Sequence, residues 1–573
     1  MKRCFALAVI LAMAIAAVLF SERRHVQAEV SPAPILYFVA DTQRELTRIP
    51  VSLTRMSEHE EVEIGDEMAQ RFLDSNRADD TPENREIAAY VNQVGARVAE
   101  HAHRKLPYRF HYIPQQYFVN AFALPGGHVV IGKGLLDLIE TEDELANILG
   151  HEVEHADLGH CLERVQIEGR VRQVPLGGLM QLPIEMFEAG YSKNQELEAD
   201  REGAKLAEAG GYSAEGAISM FRKFQKLEDE MRRYRAQGAQ HRTVLDLPAE
   251  IGNVVVQQTL EGYFRSHPPE VERIAQMERL IAAQHWPTDQ KQKTLAVAYL
   301  LITDHATSYL AADQLDKAVD AARKALASKP DYPPALVIVG DVDFEKADFA
   351  DAAEMYEKAL RLDPQQDQLA VLYATALSAS SPAQEALARF TETVNSTPSF
   401  NRPWFVEERT GLKLMTGDAA AARSLVQELS KAENPDAPIL LGKLGWWSYR
   451  FGDLASASDV ISQAVEQRPQ INWLSAKLGW VLIAQKKYES AQQRFYGIGG
   501  TDARTRAEIE MGIAVAAWNQ SQPDLAASNF RLAVGSRAAW SNPHWVAALY
   551  GLQVSTTTQD IQAESERRKK AKQ

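Results

Sequence analysis

The sequence predicts a mainly α-helical protein with two parts. The first is an α+β domain with a small β-hairpin or sheet, and the second is an all-α solenoid of repeated helix pairs. Capped amphipathic helices around a short pair of apolar strands indicate the first part. A 34-residue period that begins near residue 290 indicates the second. The length of 573 residues agrees with this division, because it is too long for one hydrophobic core.

The composition is that of a globular protein and argues against one class of partner. Hydrophobic residues make up 45% of the chain and charged residues 24%, and the net charge is −15 at pH 7. Because a negative surface repels phosphate backbones, no nucleic-acid partner is expected. The basic tail, residues 561–573, carries the opposite charge because it contains Arg567-Arg568-Lys569-Lys570. It is predicted to be a solvated end of the chain.

The N-terminus has the pattern of a secretory signal. Lys2 and Arg3 precede an unbroken apolar run from Phe5 to Phe20, and Val26-Gln27-Ala28 offers small residues for cleavage. The apolar run is shorter than the roughly 20 residues of a transmembrane helix. We therefore predict a signal peptide over residues 1–28, with an uncleaved membrane anchor as the alternative.

One helix carries the main chemical motif, His151-Glu152-Val153-Glu154-His155. Thr141 and Glu144 form a capping-box pattern before it, apolar residues recur at helical spacing through it, and Gly159 offers a stop after it. The motif therefore lies inside an amphipathic helix. A surface helix with two solvated histidines is the competing interpretation.

The spacing within this motif suits a metal-dependent hydrolase. Residues four apart share a helical face, so His151 and His155 can bind one metal ion. Glu152 follows the first ligand and can act as the general base on a water molecule at the metal. This HExxH pattern is typical of zinc peptidases and predicts one Zn²⁺ per chain.

A catalytic zinc site needs a third protein ligand. His160 is the nearest candidate, but the metzincin spacing of Gly and His falls on Leu158 and Cys161. A second capped helix offers Glu196 and Asp200, which are four apart and share a face. One of these carboxylates can bind zinc while the other orients a ligand histidine. Two carboxylates in water are the alternative.

These segments together resemble the gluzincin family of HtpX-like and CAAX-prenyl-protease-like metallopeptidases. The resemblance rests on the stretch Val119–His128, on Glu144-Leu145-Ala146 leading into the HExxH helix, and on Glu196-Leu197-Glu198-Ala199-Asp200. It covers residues 55–285 in detail. It implies that His151, His155 and Glu196 are the zinc ligands, that Glu152 is the base, and that Asp200 supports a ligand histidine.

The periplasmic branch of this family, the β-barrel assembly-enhancing proteases, has a further His-Pro segment that returns to the active site. His267 and Arg273 match its spacing. The resemblance implies that His267 is a regulatory fourth zinc ligand and that Arg273 positions the reacting groups or stabilises the transition state. An ordinary His-Pro turn that opens a helix is the alternative.

Two apolar runs, Tyr117–Leu124 and His128–Ile131, are predicted to be strands around Pro125-Gly126-Gly127. A strand beside a peptidase cleft can bind a substrate by pairing with its extended backbone. The alternative is a purely structural hairpin. The candidate substrate edge consists of Asn120, Ala121, Phe122 and Ala123.

From about residue 290 the sequence is repetitive. Small residues on one helix, a basic-Ala-Leu stretch and a closing proline recur with one period, which is typical of tetratricopeptide helix pairs. Such pairs stack into a superhelix with a concave surface for partners. The repeated positions are Lys324-Ala325-Leu326 and Lys358-Ala359-Leu360, then Ala318, Ala352 and Ala386, then Pro330, Pro364 and Pro398.

The predicted domains are therefore a signal peptide (1–28), a zinc metallopeptidase domain (29–285), a tetratricopeptide domain (290–560) and a basic tail (561–573). The resemblance implies a periplasmic metalloendopeptidase in quality control or assembly of outer-membrane β-barrel proteins. Unfolded or misassembled envelope proteins would be its substrates, and the β-barrel assembly machinery would bind the repeat groove. The alternative is a repeat-based chaperone or scaffold whose protease site is latched or idle.

Overall fold

The computed structural model describes residues 56–115, 117–172, 176–188, 190–237, 271–288, 292–396, 402–431 and 434–572. The chain separates into two units, Met1–Ala298 and Tyr299–Gln573. The predicted fold class is confirmed, since a helical domain with a small sheet is followed by helical repeats. The predicted signal peptide and His267 lie outside the described residues. Within those residues, no helix combines the length and apolar character needed to cross a bilayer.

The first unit surrounds a small sheet with helices. Its helices are α1 Glu58–Ser75, α2 Pro82–Ala99, α3 Lys133–Leu136, α4 Glu142–Asp157, α5 His160–Val171, α6 Glu185–Glu188, α7 Lys193–Ala209, α8 Glu215–Gln237 and α9 Val271–Gln284. Its strands are β1 Arg109–Ile113, β2 Ala121–Leu124 and β3 His128–Gly132.

The sheet contains the predicted strand pair and one strand that the sequence analysis missed. The strand order is β1-β3-β2. β3 pairs antiparallel with β2 and parallel with β1, with Ala121 opposite Ile131 and Phe110 opposite Val129. Gly126 and Gly127 connect β2 to β3 with φ of 74° and 90°, a left-handed conformation that favours glycine. β1 was missed because its place depends on a non-local pairing with β3.

The helices α4 and α7 cross at unusually close range. A Cβ atom added at Gly150 would lie 2.6 Å from the carbonyl oxygen of Gly203, and one added at Gly203 would lie 2.6 Å from the backbone nitrogen of His151. Only glycine permits this approach at both positions. The crossing therefore brings the HExxH motif directly against the helix that carries Glu196 and Asp200.

The second unit consists of helix pairs followed by a short C-terminal segment. Its helices are α10 Ala298–Ala311, α11 Leu315–Ser328, α12 Pro333–Glu345, α13 Phe349–Leu362, α14 Asp367–Ser380, α15 Ala383–Asn395, α16 Pro403–Met415, α17 Ala419–Lys431, α18 Ala437–Arg450, α19 Leu454–Gln467, α20 Asn472–Ala484, α21 Tyr488–Tyr496, α22 Ala503–Asn519, α23 Pro523–Ser536, α24 Pro543–Tyr550 and α25 Leu552–Lys572. Residues 561–572 of the predicted basic tail lie in α25.

The C-terminal segment of this unit, residues 537–572, packs against earlier helix pairs. Arg537 forms an ion pair with Glu345 at 2.5 Å, and the Tyr449 hydroxyl donates to the carbonyl oxygen of Tyr550 at 3.1 Å. Trp480, Trp540 and Tyr550 are buried together, with ring centroids 4.7 to 5.8 Å apart. These tryptophans therefore fill the core of the repeat unit.

Candidate metal centre

Helix α4 places two histidines on one buried face. The Thr141 side chain accepts a hydrogen bond from the Glu144 backbone, and the Glu144 side chain accepts one from Thr141, which confirms the predicted capping box. Every residue from Glu144 to Asp157 is buried. His151 and His155 lie one turn apart, with their Nε2 atoms 3.1 Å from each other.

Helix α7 brings a carboxylate to the same point. Ser192 and Gln195 form the second predicted capping box. The Oε2 atom of Glu196 lies 3.4 Å from His151 Nε2, and its Oε1 atom lies 3.5 Å from His155 Nε2. All three side chains are buried. Two nitrogens and one carboxylate thus converge although 41 residues separate His155 from Glu196 along the chain.

These distances fit a tetrahedral zinc ion. Zinc bonds to nitrogen and oxygen are ~2.0–2.1 Å long, so two tetrahedral ligand atoms lie about 3.3 Å apart. The observed separations of 3.1, 3.4 and 3.5 Å match that value. Two imidazoles and one carboxylate are also a donor set of catalytic zinc sites, in which the fourth position stays open. The site therefore fits Zn²⁺ in both geometry and chemistry.

Asp200 and Arg273 lie behind His151, the first candidate ligand. Asp200 Oδ1 lies 2.8 Å from His151 Nδ1, the ring nitrogen opposite the metal side. The Arg273 guanidinium donates two hydrogen bonds of 2.6 Å to this carboxylate, and its Nη2 lies 3.8 Å from Glu196 Oε2. The Arg273 side chain also lies over the Phe221 ring, 4.4 Å from its centroid. A bidentate pair of this kind fixes the orientation of Asp200 and hence of His151.

The charges around His151 favour a bound cation. Burial alone would lower the pKa of His151, but hydrogen bonds to Asp200 and Glu196 and their negative charges raise it to about 10. Burial raises the pKa of Asp200, yet the charge and hydrogen bonds of Arg273 lower it overall. Asp200 therefore stays ionised and holds a positive charge at His151. A zinc ion held by His151 Nε2 would take the place of the proton there.

His160 contacts His155, the second candidate ligand, and lies outside the group of candidate metal-binding atoms. Its Nδ1 lies 2.9 Å from His155 Nδ1, which is on the far side of the His155 ring from Glu196. Its Nε2 lies 3.6 Å from Glu198. Tyr191 stacks on His155 with ring centroids 4.0 Å apart. Each ligand histidine thus has a partner at its second ring nitrogen, as ligand histidines in metal sites commonly do.

Comparison with known families agrees with this geometry. The family model of peptidase family M48 matches residues 85–281, and a tetratricopeptide repeat model matches residues 303–367. Residues 85–281 form a peptidase family M48 domain. The M48 domain contains both metal helices and Arg273, and the first tetratricopeptide repeats follow it.

Several curated relatives are similar to part of this chain. The chain is 31% identical to metalloprotease LoiP of Escherichia coli over 19% of this chain and 49% of that protein. It is 31% identical to a putative beta-barrel assembly-enhancing protease of Vibrio cholerae over 25% of this chain and 33% of that one. It is 32% identical to mitochondrial metalloendopeptidase OMA1 of Arabidopsis thaliana over 19% of this chain and 24% of that one. The chain spans half or less of the length of these relatives.

The other predicted site residues also lie in this domain. Glu152 is on α4 next to His151 and is 2% exposed. Arg273 is in the first turn of α9, bound to Asp200. The candidate edge forms β2, which pairs with β3 alone among the described strands. Asn120 lies just before this strand, and its carbonyl accepts a hydrogen bond from Gly132 at 2.9 Å.

The candidate edge strand is covered by other parts of the domain. Ala121, Phe122 and Ala123 are at most 1% exposed. Phe122 packs in one apolar cluster with Leu179 and Phe187, from the segment between the two metal helices. The side chains of this strand are therefore part of the apolar core of the domain. Sequence reasoning also missed Tyr191 and Phe221, whose only signal was aromatic character near the metal helices.

Proposed function

We propose that this protein is a zinc-dependent metalloendopeptidase of the cell envelope. One observation carries the proposal: the convergence of His151, His155 and Glu196 at zinc-ligand separations inside an M48 domain. Metalloprotease and metalloendopeptidase relatives share that domain.

The residues of the site suit peptide-bond hydrolysis. Zinc, when bound by His151, His155 and Glu196, polarises the scissile carbonyl and lowers the pKa of a water molecule toward ~7. Glu152 takes a proton from that water and delivers it to the leaving amine. Asp200 and His160 hold the two ligand histidines in orientation through their Nδ1 atoms. Arg273 keeps Asp200 ionised and in place.

The relatives support a role in the assembly or quality control of outer-membrane β-barrel proteins. Several of them are named beta-barrel assembly-enhancing protease. Unfolded or misassembled envelope proteins are then the substrates, and the repeats recruit them or contact the assembly machinery. This role requires a periplasmic location, which agrees with the secretory pattern of residues 1–28. His267 is proposed as the regulatory fourth ligand on the resemblance alone.

A chaperone or scaffold with an idle peptidase site is the second candidate function. The large repeat unit, Tyr299–Gln573, favours it, because such units bind partners without catalysis. The two functions differ in one respect that can be measured. A scaffold binds client proteins without zinc-dependent cleavage, and an endopeptidase cleaves them.

The substitution Glu152→Gln tests the proposed chemistry. Removal of the general base should lower casein cleavage by at least a hundredfold and leave zinc stoichiometry at one per chain, because the ligands are untouched. Elemental analysis and a casein digestion assay measure both quantities. Glu154→Gln, two positions away on the same helix, is the matched control and should retain cleavage. Wild-type rates in Glu152→Gln, or a wild-type chain without activity, would contradict the proposal.

A further inference from the structure

The second candidate ligand, His155, is held differently from the first. The imidazole of His151 has the Asp200 carboxylate at its Nδ1, whereas the imidazole of His155 has the Nδ1 of His160 at that place. A contact at one ring nitrogen fixes the direction of that atom but leaves the ring free to tilt. The two ligand rings stand at 81° to each other, so the tilt of His155 decides whether its Nε2 points at the shared metal position.

An aromatic ring lies flat against the face of His155. The planes of Tyr191 and His155 are inclined by only 17°, and the two ring centroids are 4.0 Å apart. This face-to-face contact blocks the tilt that the contact at Nδ1 leaves open. It also suits a metal ligand, because an imidazole that carries part of the positive charge of a metal is attracted to the electron-rich face of a phenol ring.

Arg164 holds the Tyr191 ring from its other side. Its guanidinium carbon lies 4.1 Å from the centroid of that ring, and two groups so close to one ring cannot occupy the same face. Arg164 is buried and donates hydrogen bonds to the carbonyl oxygens of Met186 and Gly190, of which Gly190 directly precedes Tyr191. One side chain therefore fixes both the ring of Tyr191 and the backbone that leads to it.

The hydroxyl of Tyr191 has a further contact. Its oxygen lies 3.3 Å from the Sγ atom of Cys161, which is buried on α5 one turn before Arg164. Cys161 in turn contacts the carbonyl oxygen of Ala123 in β2 at 3.5 Å. Because a thiol is a weak hydrogen-bonding partner, the hydroxyl contributes less to the position of Tyr191 than the face of its ring does.

We propose that Tyr191 is a positioning residue of the metal centre: its ring sets the plane of His155, and Arg164 keeps the ring in place. This inference rests on the proposed ligation of zinc by His155. If Tyr191 only filled space in the apolar core, its loss would lower stability and leave the metal centre unchanged. The two roles therefore differ in their effect on the geometry of a bound metal ion, which can be measured without any cleavage.

Cobalt binding tests the role of the ring. Co²⁺ is titrated into the metal-free full-length chain, so that the titration gives the affinity and the visible absorption spectrum reports the ligand geometry. Tyr191→Leu removes the aromatic face and should weaken Co²⁺ binding by ~10–100-fold and change the spectrum, because a ligand histidine loses its support. Tyr191→Phe keeps the face and loses only the contact with Cys161, so it should retain the wild-type spectrum and affinity.

Two further variants complete the set. Phe187→Leu removes a different buried ring from the apolar cluster against which Tyr191 packs, and it is the matched control. It should lower the melting temperature and leave the affinity and the spectrum of Co²⁺ unchanged. Arg164→Lys keeps the charge and loses the planar guanidinium, and it should change the spectrum in the same direction as Tyr191→Leu. This variant decides the question if Tyr191→Leu does not fold.

The wild type and His155→Ala separate this inference from the proposed function. If the wild type binds no Co²⁺, or if His155→Ala binds it equally well, the proposed ligand set is wrong and the inference fails with it. If His155→Ala loses Co²⁺ while Tyr191→Leu and Arg164→Lys keep the wild-type affinity and spectrum, only the positioning role of Tyr191 is overturned. An equal change of the spectrum in Phe187→Leu overturns it as well, because any loosening of the core would then suffice.

Discussion

The side chains of the metal centre depend on partners outside the motif. Asp200 holds His151 at Nδ1, and Arg273 holds Asp200 with two hydrogen bonds of 2.6 Å. Arg273 is 5% exposed, so its charge and that of Asp200 balance each other away from water. Removal of either partner leaves an unpaired buried charge, which typically costs about 3–5 kcal/mol.

Arg273→Ala should therefore weaken zinc binding and lower stability. Loss of the support to a ligand histidine typically costs ~10–100-fold in metal affinity. Chelator competition measures the zinc dissociation constant, and thermal unfolding measures stability. Arg273→Lys should give an intermediate result, because it keeps the charge and loses the bidentate geometry. The exposed Arg279 on the same helix provides the control: Arg279→Ala should change neither quantity, and an equal effect there would refute the role of Arg273.

A pair of histidines on the sheet should make the stability of the M48 domain depend on pH. His111 Nε2 lies 2.9 Å from His128 Nδ1, and His128 Nε2 lies 2.8 Å from Asp66. Burial, followed by the nearby charges of His128 and Arg109, lowers the pKa of His111 to about 4. A lowered folded-state pKa means that the unfolded chain binds the proton first. His111 therefore destabilises the fold as the pH falls from about 6.5 to about 4.

His111→Gln should flatten this pH dependence. Between pH 7 and pH 4 the wild type should lose on the order of 2 kcal/mol more unfolding free energy than the variant. Urea unfolding at several pH values, with EDTA present to remove any contribution of zinc, gives the comparison. His101→Gln replaces an exposed histidine and should retain the wild-type slope. Parallel curves for wild type and His111→Gln would show that His111 does not carry the effect.

At the scale of elements, the metal centre depends on the crossing of α4 and α7. Each helix carries part of the proposed ligand set, so the proposed zinc site needs both helices. Their backbones approach through Gly150 and Gly203, where added Cβ atoms would lie 2.6 Å from backbone atoms. A side-chain rotation cannot relieve these contacts, because each added Cβ atom would meet main-chain atoms of the facing helix. The two glycines therefore set the distance between Glu196 and the two histidines.

Gly203→Ala should separate the helices and impair zinc binding. An alanine usually favours a helix over glycine by about 1 kcal/mol, so a destabilised variant would show that the close contact outweighs that gain. We expect a lower melting temperature and at least tenfold weaker zinc affinity. Gly535→Ala is the matched control, because Gly535 lies in helix α23 with open space around its Cβ position. A Gly203→Ala protein with unchanged zinc affinity would argue against the crossing as the determinant of the site.

At the scale of the molecule, residues after α9 belong to the peptidase unit. The Lys293 carbonyl accepts a hydrogen bond from Glu142 at 2.8 Å, and Leu295 donates one to Glu140 at 3.2 Å. Leu295 and Val297 are 3% exposed. Residues 292–297 therefore pack against the start of α4, the helix that carries the HExxH motif. The sequence analysis predicted that the domain ends at residue 285.

Two truncations that differ by nine residues test this boundary. A chain ending at residue 298 should cleave a short peptide at the rate of the full chain. A chain ending at residue 289 should melt at least about 4 °C lower, because it loses the hydrogen bonds and buried side chains of residues 292–297. It should also bind zinc more weakly. Both lack the repeats, so both should lose binding to unfolded client proteins. Equal melting temperatures for the two truncations would show that residues 292–297 contribute nothing to the unit.

What the sequence determined by itself is local. The capping boxes at Thr141 and Ser192, the helical spacing of His151 and His155, and the 34-residue period follow from interactions between residues near one another in the chain. Those signals predict the helices, the repeats and two ligands. They left Glu196 and Asp200 open as alternatives, and only the resemblance to a family assigned their roles.

Only the tertiary structure decided which distant residues meet. Strand β1, the Arg273–Asp200 pair and the place of His160 behind His155 all depend on packing between segments remote in sequence. The sequence pattern of a carboxylate at helical spacing is the same whether its side chain faces water or a metal. Burial and the close crossing at Gly150 and Gly203 give Glu196 its position, because they exclude water and leave the two histidines as its neighbours.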